Sequence, residues 1–366
     1  MESFATPDGT GAYRARFSAF PAEHFRSLDG LIVSSLGLGM YLGDETDAVD
    51  ANYRTAIIDA AQRGCNLFDT AINYRAQRSE RVLGQALGAL CRESGFARTD
   101  LVICTKGGYL PFDSTIPQDP AEFIRNTYVQ TGILRAEEIV DGGHAMAPRY
   151  LHDQIGRSLR NLGLATIDLY YLHNPETQLG VLSRHDFSAR LRDAFAQLEE
   201  EVSAGRIRRY GVATWHGLRK PPEAREHLSL TELVRAAEAV AGTTHHFRAV
   251  QLPYNLGMPE AYASATQVLD GSRVPVLTAA KQLGIAVVAS ASILQGQLAR
   301  PLSGVLANAF PGLGTPAQRA LQFARSTPGI TVALVGMGRR EHVVENLALA
   351  QSLPAPDGVD SLFTRR

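Results

Sequence analysis

Disulfide chemistry has little to work with in this chain. Of 366 residues only three are cysteines (Cys65, Cys91 and Cys104), and all sit in apolar segments. An odd trio of this kind founds no disulfide framework. It reads as small buried hydrophobes in a reducing compartment, so a cytoplasmic location is expected. Charge of one sign is also missing as an excess: 36 basic residues stand against 37 acidic ones. With no surplus cations to replace phosphate counterions, nucleic acid is not an expected partner. No apolar run approaches the roughly eighteen residues of a membrane helix, so no membrane span is expected. The polar, glycine-bearing stretch 1–17 has no apolar centre of the secretory kind. Low-complexity tracts and repeats of solenoid length are absent as well.

What is present is a 45% hydrophobic composition, enough for a large core, laid out as an alternation. Short runs rich in Leu, Ile and Val occur at 35–40, 66–70, 101–105, 167–172, 207–213, 249–252, 285–289 and 331–335. They show little period-two alternation, as expected for parallel strands covered on both faces. Helix-period segments fall between them, at 50–63, 79–90, 148–162, 188–204, 230–241, 274–283 and 340–351. Eight β-then-α units in strict order predict an α/β chain closed into a (β/α)8 TIM barrel, with an open eight-stranded parallel sheet as the alternative. Residues 1–33 form an N-terminal extension in which 24–34 predicts a hairpin turning at Asp29-Gly30. The barrel domain is expected over 34–352 and a C-terminal tail over 353–366. Long insertions follow the third strand (107–147), the fourth (174–186) and the fifth (215–229), all on the rim where barrel enzymes build their sites. Arg206, Arg208 and Arg209 read as a solvated strand entry.

Four polar side chains stand where apolar strands stop or just beyond: Asp69, Tyr74, Lys106 and His173. Taken singly, each has a bland explanation: a turn cap, a packed phenol, a solvated strand end. Together they form a chemically coherent set. An ammonium at the tip of a buried strand needs an opposite charge beside it, and Asp69 on the neighbouring strand supplies one. Lys106 should then favour the ionised phenol and lower the Tyr74 pKa, making Tyr74 a general acid/base. A neutral His173 could hydrogen-bond the same substrate oxygen.

These residues carry a resemblance. The stretches Phe68-Asp69-Thr70-Ala71-Ile72-Asn73-Tyr74, Ser79-Glu80-Arg81-Val82-Leu83-Gly84, Thr105-Lys106-Gly107-Gly108, and Ser158-Leu159-Arg160-Asn161-Leu162-Gly163 followed by 167–173, resemble the aldo-keto reductase superfamily. The likeness runs in order through Gly211-Val212, Gln251 to Leu256, Gln295-Gly296, Gly336 and Glu345-Asn346, over roughly 30–352. It implies a metal-free, NADP(H)-dependent oxidoreductase that passes a hydride between nicotinamide and a carbonyl or alcohol: an aldehyde, a ketone or a sugar-like compound. In that reading Asp69, Tyr74, Lys106 and His173 form the catalytic set.

The resemblance places cofactor contacts at Thr214, Gln251, Gln295, Gly336, Arg339, Arg340, Glu345 and Asn346. Arg339, with Arg340 as a second candidate, would face the 2′-phosphate, which suits a guanidinium. The glycines Gly336 and Gly338 do not complete a Rossmann fingerprint, because Glu341 stands in the third position; Gly37 and Gly39 fail similarly at Leu42. Two positions depart from the family's habit. Ala213-Thr214 replaces Ser-Asn, and Ser290 replaces an aromatic residue. The sole tryptophan, Trp215, could supply apolar surface there instead. Tyr109, Phe112, Tyr128, His144 and Met146 are expected in the pocket walls. The departures motivate one alternative, a nicotinamide-binding regulatory or redox-sensing subunit without useful turnover. Another is a different barrel enzyme, such as an isomerase or lyase built on a Lys–Asp pair.

Overall fold

The eight apolar runs become parallel strands, as their unbroken hydrophobicity requires. The structure is a computed structural model, and it describes residues 3–300 and 304–364. The outermost residues of the expected extension and tail, 1–2 and 365–366, lie outside the described part. The strands are β1 (Phe25–Leu28), β2 (Leu31–Ser34), β3 (Leu36–Gly39), β4 (Leu67–Asp69), β5 (Val102–Gly107), β6 (Leu169–His173), β7 (Tyr210–Ala213), β8 (Phe247–Pro253), β9 (Gln267–Leu269), β10 (Ser272–Val274), β11 (Ala286–Ser290) and β12 (Val332–Gly336). Strands β3 to β8, β11 and β12 close a barrel in which β12 pairs with β3. All eight of its strands fall within or next to the expected runs, and the open sheet is excluded.

Inside the barrel a second apolar cluster, separate from the one under the helices, contains Leu67, Val102, Cys104, Leu169, Tyr171, Ala213, Ala249, Val288 and Val332. These alternate with residues that face the helix ring, as strand geometry demands. The same cluster takes in Leu28, Leu31 and Val33 of the β1–β2 hairpin, which plugs the end of the barrel where strands begin. At its tip Asp29 and Gly30 both have positive φ (46° and 83°), the backbone of a two-residue type I′ turn. Asp29 pairs there with Arg209 at 2.9 Å and Arg248 at 3.1 Å, so Arg209 is not merely a solvated strand entry. Nearby, Asp168 is fully buried and accepts from Ala5 N, Ile103 N and Arg98 Nη2 at 2.6–2.7 Å.

The helices that cover the barrel begin and end on local chemistry. Ser183 and Ser229 each accept a backbone N–H three residues on, opening Arg184–Ser203 and Leu230–Ala241. Gly163, at φ 64°, closes Pro148–Leu162 in the left-handed cap that a side chain would resist. Cys65 and Cys104 are buried thiols, as expected, but Cys91 is exposed, because it falls on the outer face of the helix Arg78–Glu93. The insertion after β5 is not a bare loop: it contains a helical stretch, Pro120–Ile124 running into Arg125–Val129. The region after 352 forms a helix, Pro356–Phe363, whose Val359 is buried. Among the described residues no helix is long and apolar enough to cross a membrane.

Candidate active site

The period-two alternation that fills the barrel with apolar side chains carries polar ones to its upper end. Leu67 points into the interior and Asp69 follows two residues later; Cys104 is followed by Lys106, and Ala249 by Gln251. Three neighbouring or facing strands thus bring an acid, an ammonium and an amide to one mouth. Lys106 Nζ donates to Asp69 Oδ1 at 2.5 Å and to the Thr70 carbonyl at 2.8 Å, and the Lys106 side chain is fully buried. Gln251 Nε2 donates to the second carboxylate oxygen, Asp69 Oδ2, at 2.8 Å. Burial raises the Asp69 carboxyl above its ordinary range, while Lys106 and the Gln251 amide pull it back. Burial also opposes the charge on Lys106, but Asp69 and Tyr74 outweigh it and the ammonium is held above its usual pKa. The attraction between the two groups thus opposes burial at each of them.

Tyr74 is half-buried above this pair, with Lys106 Nζ 4.9 Å from the centre of its ring. Its ring meets His173 edge-on at 5.9 Å and Tyr41 edge-on at 5.1 Å. Here the structure corrects the charge argument. The Tyr74 phenol is raised, not lowered, because burial outweighs the pull of Lys106, and Asp69 adds to the rise. Lys106 does act in the expected direction, but it is the smaller effect in this state. His173 is pushed well below its ordinary pKa by burial, by Lys106 and by His144, which leaves the imidazole neutral. Its buried Nδ1 has no partner. Behind it, Gln178 Nε2 lies 2.8 Å from His144 Nδ1, and His144 Nε2 lies 2.7 Å from the His173 carbonyl. With the amide donating to Nδ1, the opposite ring nitrogen carries the proton and donates to that carbonyl.

A cavity of about 920 Å³ opens over these groups. Asp69, Tyr74, His173, Thr214, Gln251, Gln295, Gly336, Arg339, Glu345 and Asn346 all line it. Lys106 lies beneath the wall. Arg340 is not part of the lining: its guanidinium is mostly exposed and its Nε sits 3.8 Å from Asp59. The helix Arg340–Leu347 turns that side chain away from the cavity, whereas Arg339, just before it, faces in. Of the insertion residues expected in the walls, Tyr109 alone lines the cavity. Tyr128, His144 and Met146 are buried in the core, and Phe112 packs edge-on against Phe123 at 5.6 Å. An apolar residue in a long insertion is as often the insertion's own core as a pocket wall.

Three residues of the mouth were not legible in the strand pattern. Tyr41 follows β3 closely and stands on the rim, 55% exposed. Asn174 follows His173 with a left-handed backbone, φ 44°, and donates to the Tyr109 hydroxyl at 3.1 Å. Glu176 is buried, and its Oε1 accepts the backbone N–H groups of Trp215, His216 and Gly217 at 2.8, 3.1 and 3.2 Å. Their common signal was their place just after barrel strands, on the same rim as the expected set.

Such a rim, with an ion pair beneath a phenol and an imidazole at the mouth of one cavity, gives this (β/α)8 barrel a candidate acid–base site. The profile of the Aldo/keto reductase family matches residues 35–357. The chain belongs to that family. Among its relatives, a probable voltage-gated potassium channel subunit beta from Arabidopsis thaliana is 24% identical over 89% of this chain and 90% of that protein. A D-threo-aldose 1-dehydrogenase from Pseudomonas sp is 29% identical over about half of each, 50% and 51%. An aldo/keto reductase from Klebsiella pneumoniae, solved with NADP and acetate, superposes with a TM-score of 0.62 over 94% of this chain and 97% of that one at 21% identity, a likeness of fold.

Proposed function

We propose that the protein is an NADP(H)-dependent oxidoreductase that interconverts a carbonyl compound and its alcohol, with Tyr74 as proton donor and acceptor. The observation that carries this reading is the buried Asp69–Lys106 pair set under Tyr74, with neutral His173 against the same ring. The cavity is chemically suited to a dinucleotide. Thr214 Oγ1 and Asn346 Oδ1 are buried on its walls without partners, which leaves polar atoms that a bound ligand would satisfy. Gln251, Gln295, Gly336, Arg339 and Glu345 line the same cavity. Arg339 suits a phosphate monoester and favours NADP(H) over NAD(H). The relatives support this assignment: one solved neighbour is described in complex with NADP and another with NADPH, and one curated relative is named an aldose dehydrogenase.

Bound nicotinamide would supply or accept the hydride. The chain's own part is protonic. The phenol of Tyr74 gives its proton to the substrate oxygen in reduction and takes it back in oxidation. Lys106, fixed by Asp69 and the Thr70 carbonyl, stabilises the phenolate that remains. Neutral His173 hydrogen-bonds the same oxygen and orients the carbonyl. Gln251 holds Asp69 in place.

A second reading, a nicotinamide-binding regulatory subunit, is favoured by the relatives named as potassium channel beta subunits and by the departures at Ala213, Thr214 and Ser290. One assay separates the two. NADPH oxidation and NADP+ reduction are followed against aldehydes, ketones, aldoses and polyols. Steady turnover on one class supports the oxidoreductase, and tight NADPH binding without turnover on any class supports the regulatory subunit.

A further inference from the structure

The rim loops after β6 and β7 are joined by one carboxylate. Glu176 lies three residues beyond His173, and its Oε1 accepts three consecutive backbone N–H groups, those of Trp215, His216 and Gly217. The loop presses so closely on this acid that a Cβ on Gly217 would meet Leu228 at 2.8 Å and Glu176 Cβ at 3.3 Å. From the other side, Arg219 donates to the Trp215 carbonyl through Nε and Nη2 at 3.1 and 2.9 Å, and Arg219 is itself tied to Glu260 at 2.9 Å. The backbone of Trp215 is thus gripped at both its N–H and its C=O. Its side chain, by contrast, is 41% exposed and lines the cavity beside Asn174 and Thr214. The indole thus presents apolar surface to the cavity. Tyr41, on the same mouth, is likewise exposed and lines the cavity, while Tyr109 and Asn174 supply polar tips.

We propose that Glu176 is a positioning residue that fixes Trp215 as a flat wall for the substrate, so that the protein favours carbonyl compounds bearing a ring next to the reacting carbon. This rests on the oxidoreductase reading. Neither residue touches the proton-transfer set, so the clamp acts on substrate binding and not on the chemical step.

Two readouts test it. Trp215 is the sole tryptophan, so its fluorescence reports the clamp in the protein alone. Glu176→Ala should shift the emission to longer wavelength and lower its anisotropy. Glu176→Gln, which keeps an acceptor oxygen, should restore both. With NADPH, Glu176→Ala should raise KM for benzaldehyde about tenfold and for propanal less than about twofold, with kcat held within about twofold, the pattern of lost uniform binding. Trp215→Ala leaves the three N–H bonds in place and should reproduce the same KM pattern, which keeps the test open if Glu176→Ala is insoluble. Unchanged emission in Glu176→Ala, or KM changes equal for the two aldehydes in either variant, would overturn the proposal. Absence of turnover by the wild-type protein on every carbonyl would instead remove the oxidoreductase reading, while the fluorescence arm still decides whether the clamp exists.

Discussion

At Tyr74 two opposing influences meet on one phenol: burial pushes its pKa up, and the Lys106 ammonium pulls it down. Reduction needs the protonated phenol, so its rate should be highest below that pKa and fall above it. Oxidation needs the phenolate and should rise through the same value. Replacing Lys106 removes the downward influence. Lys106→Met should therefore move both limbs to higher pH in the pH–rate profiles, and a profile in the wild-type position would show that the lysine does not tune the phenol. The same substitution strands Asp69 without its cation. Breaking a buried pair from one side costs about 3–5 kcal/mol, so denaturant melts should show a clear loss of stability. The four residues of the proposed set were legible because each closes an apolar run or follows one, where a polar side chain is conspicuous. The direction of the Tyr74 shift was not, because burial belongs to the packed cavity and leaves no mark in local sequence. Arg340 shows the same limit: adjacent arginines look alike in sequence, and only the start of the helix at 340 decides which one faces in.

Among the elements, the barrel strands and the covering helices were readable from periodicity, and the Asp29-Gly30 turn from its two residues. A second turn of the same kind, Asp270-Gly271, with φ 50° and 77°, joins β9 to β10. It leaves little trace in the pattern because its flanking runs are only three residues long and half of those residues are exposed. The helices Pro7–Ala15 and Pro316–Ser326 open with Thr-Pro pairs, a cap followed by proline at the first turn, a signal that composition alone obscures. At Gly30, with φ 83° and no atom within 4 Å of where a Cβ would stand, the constraint is conformational and not steric. Gly30→Ala should cost about 1 kcal/mol and lower Tm by a few degrees. Because the hairpin sits at the opposite end of the barrel from the cavity, kcat/KM should be unchanged. A matching drop in activity would mean that the plug and the mouth are coupled.

For the molecule as a whole, stability is tied to histidines that fold as neutral groups. Burial lowers His24 and His144 to about 4, against about 6.5 in an unfolded chain. The unfolded state binds protons first as pH falls, so stability should be lost from about pH 6.5 down toward pH 4. The loss is roughly 2 kcal/mol for each histidine between about pH 7 and pH 5. Buried carboxyls raised on folding, such as Glu80 and Glu176, oppose this slope, so the test is the difference between chains. Urea midpoints should fall less between about pH 7 and pH 5 in His24→Gln than in wild type, and equal slopes would mean that the His24 ring is not held neutral. Proton transfer at the barrel mouth is a separate matter from this stability. Its most direct test is single-turnover hydride transfer from NADPH to a reducible aldehyde, wild type beside Tyr74→Phe, with NADPH binding measured by fluorescence in both. Transfer should fall by at least about a thousandfold while the binding constant stays within a few-fold, and transfer at the wild-type rate in Tyr74→Phe would dismiss the phenol as the proton donor.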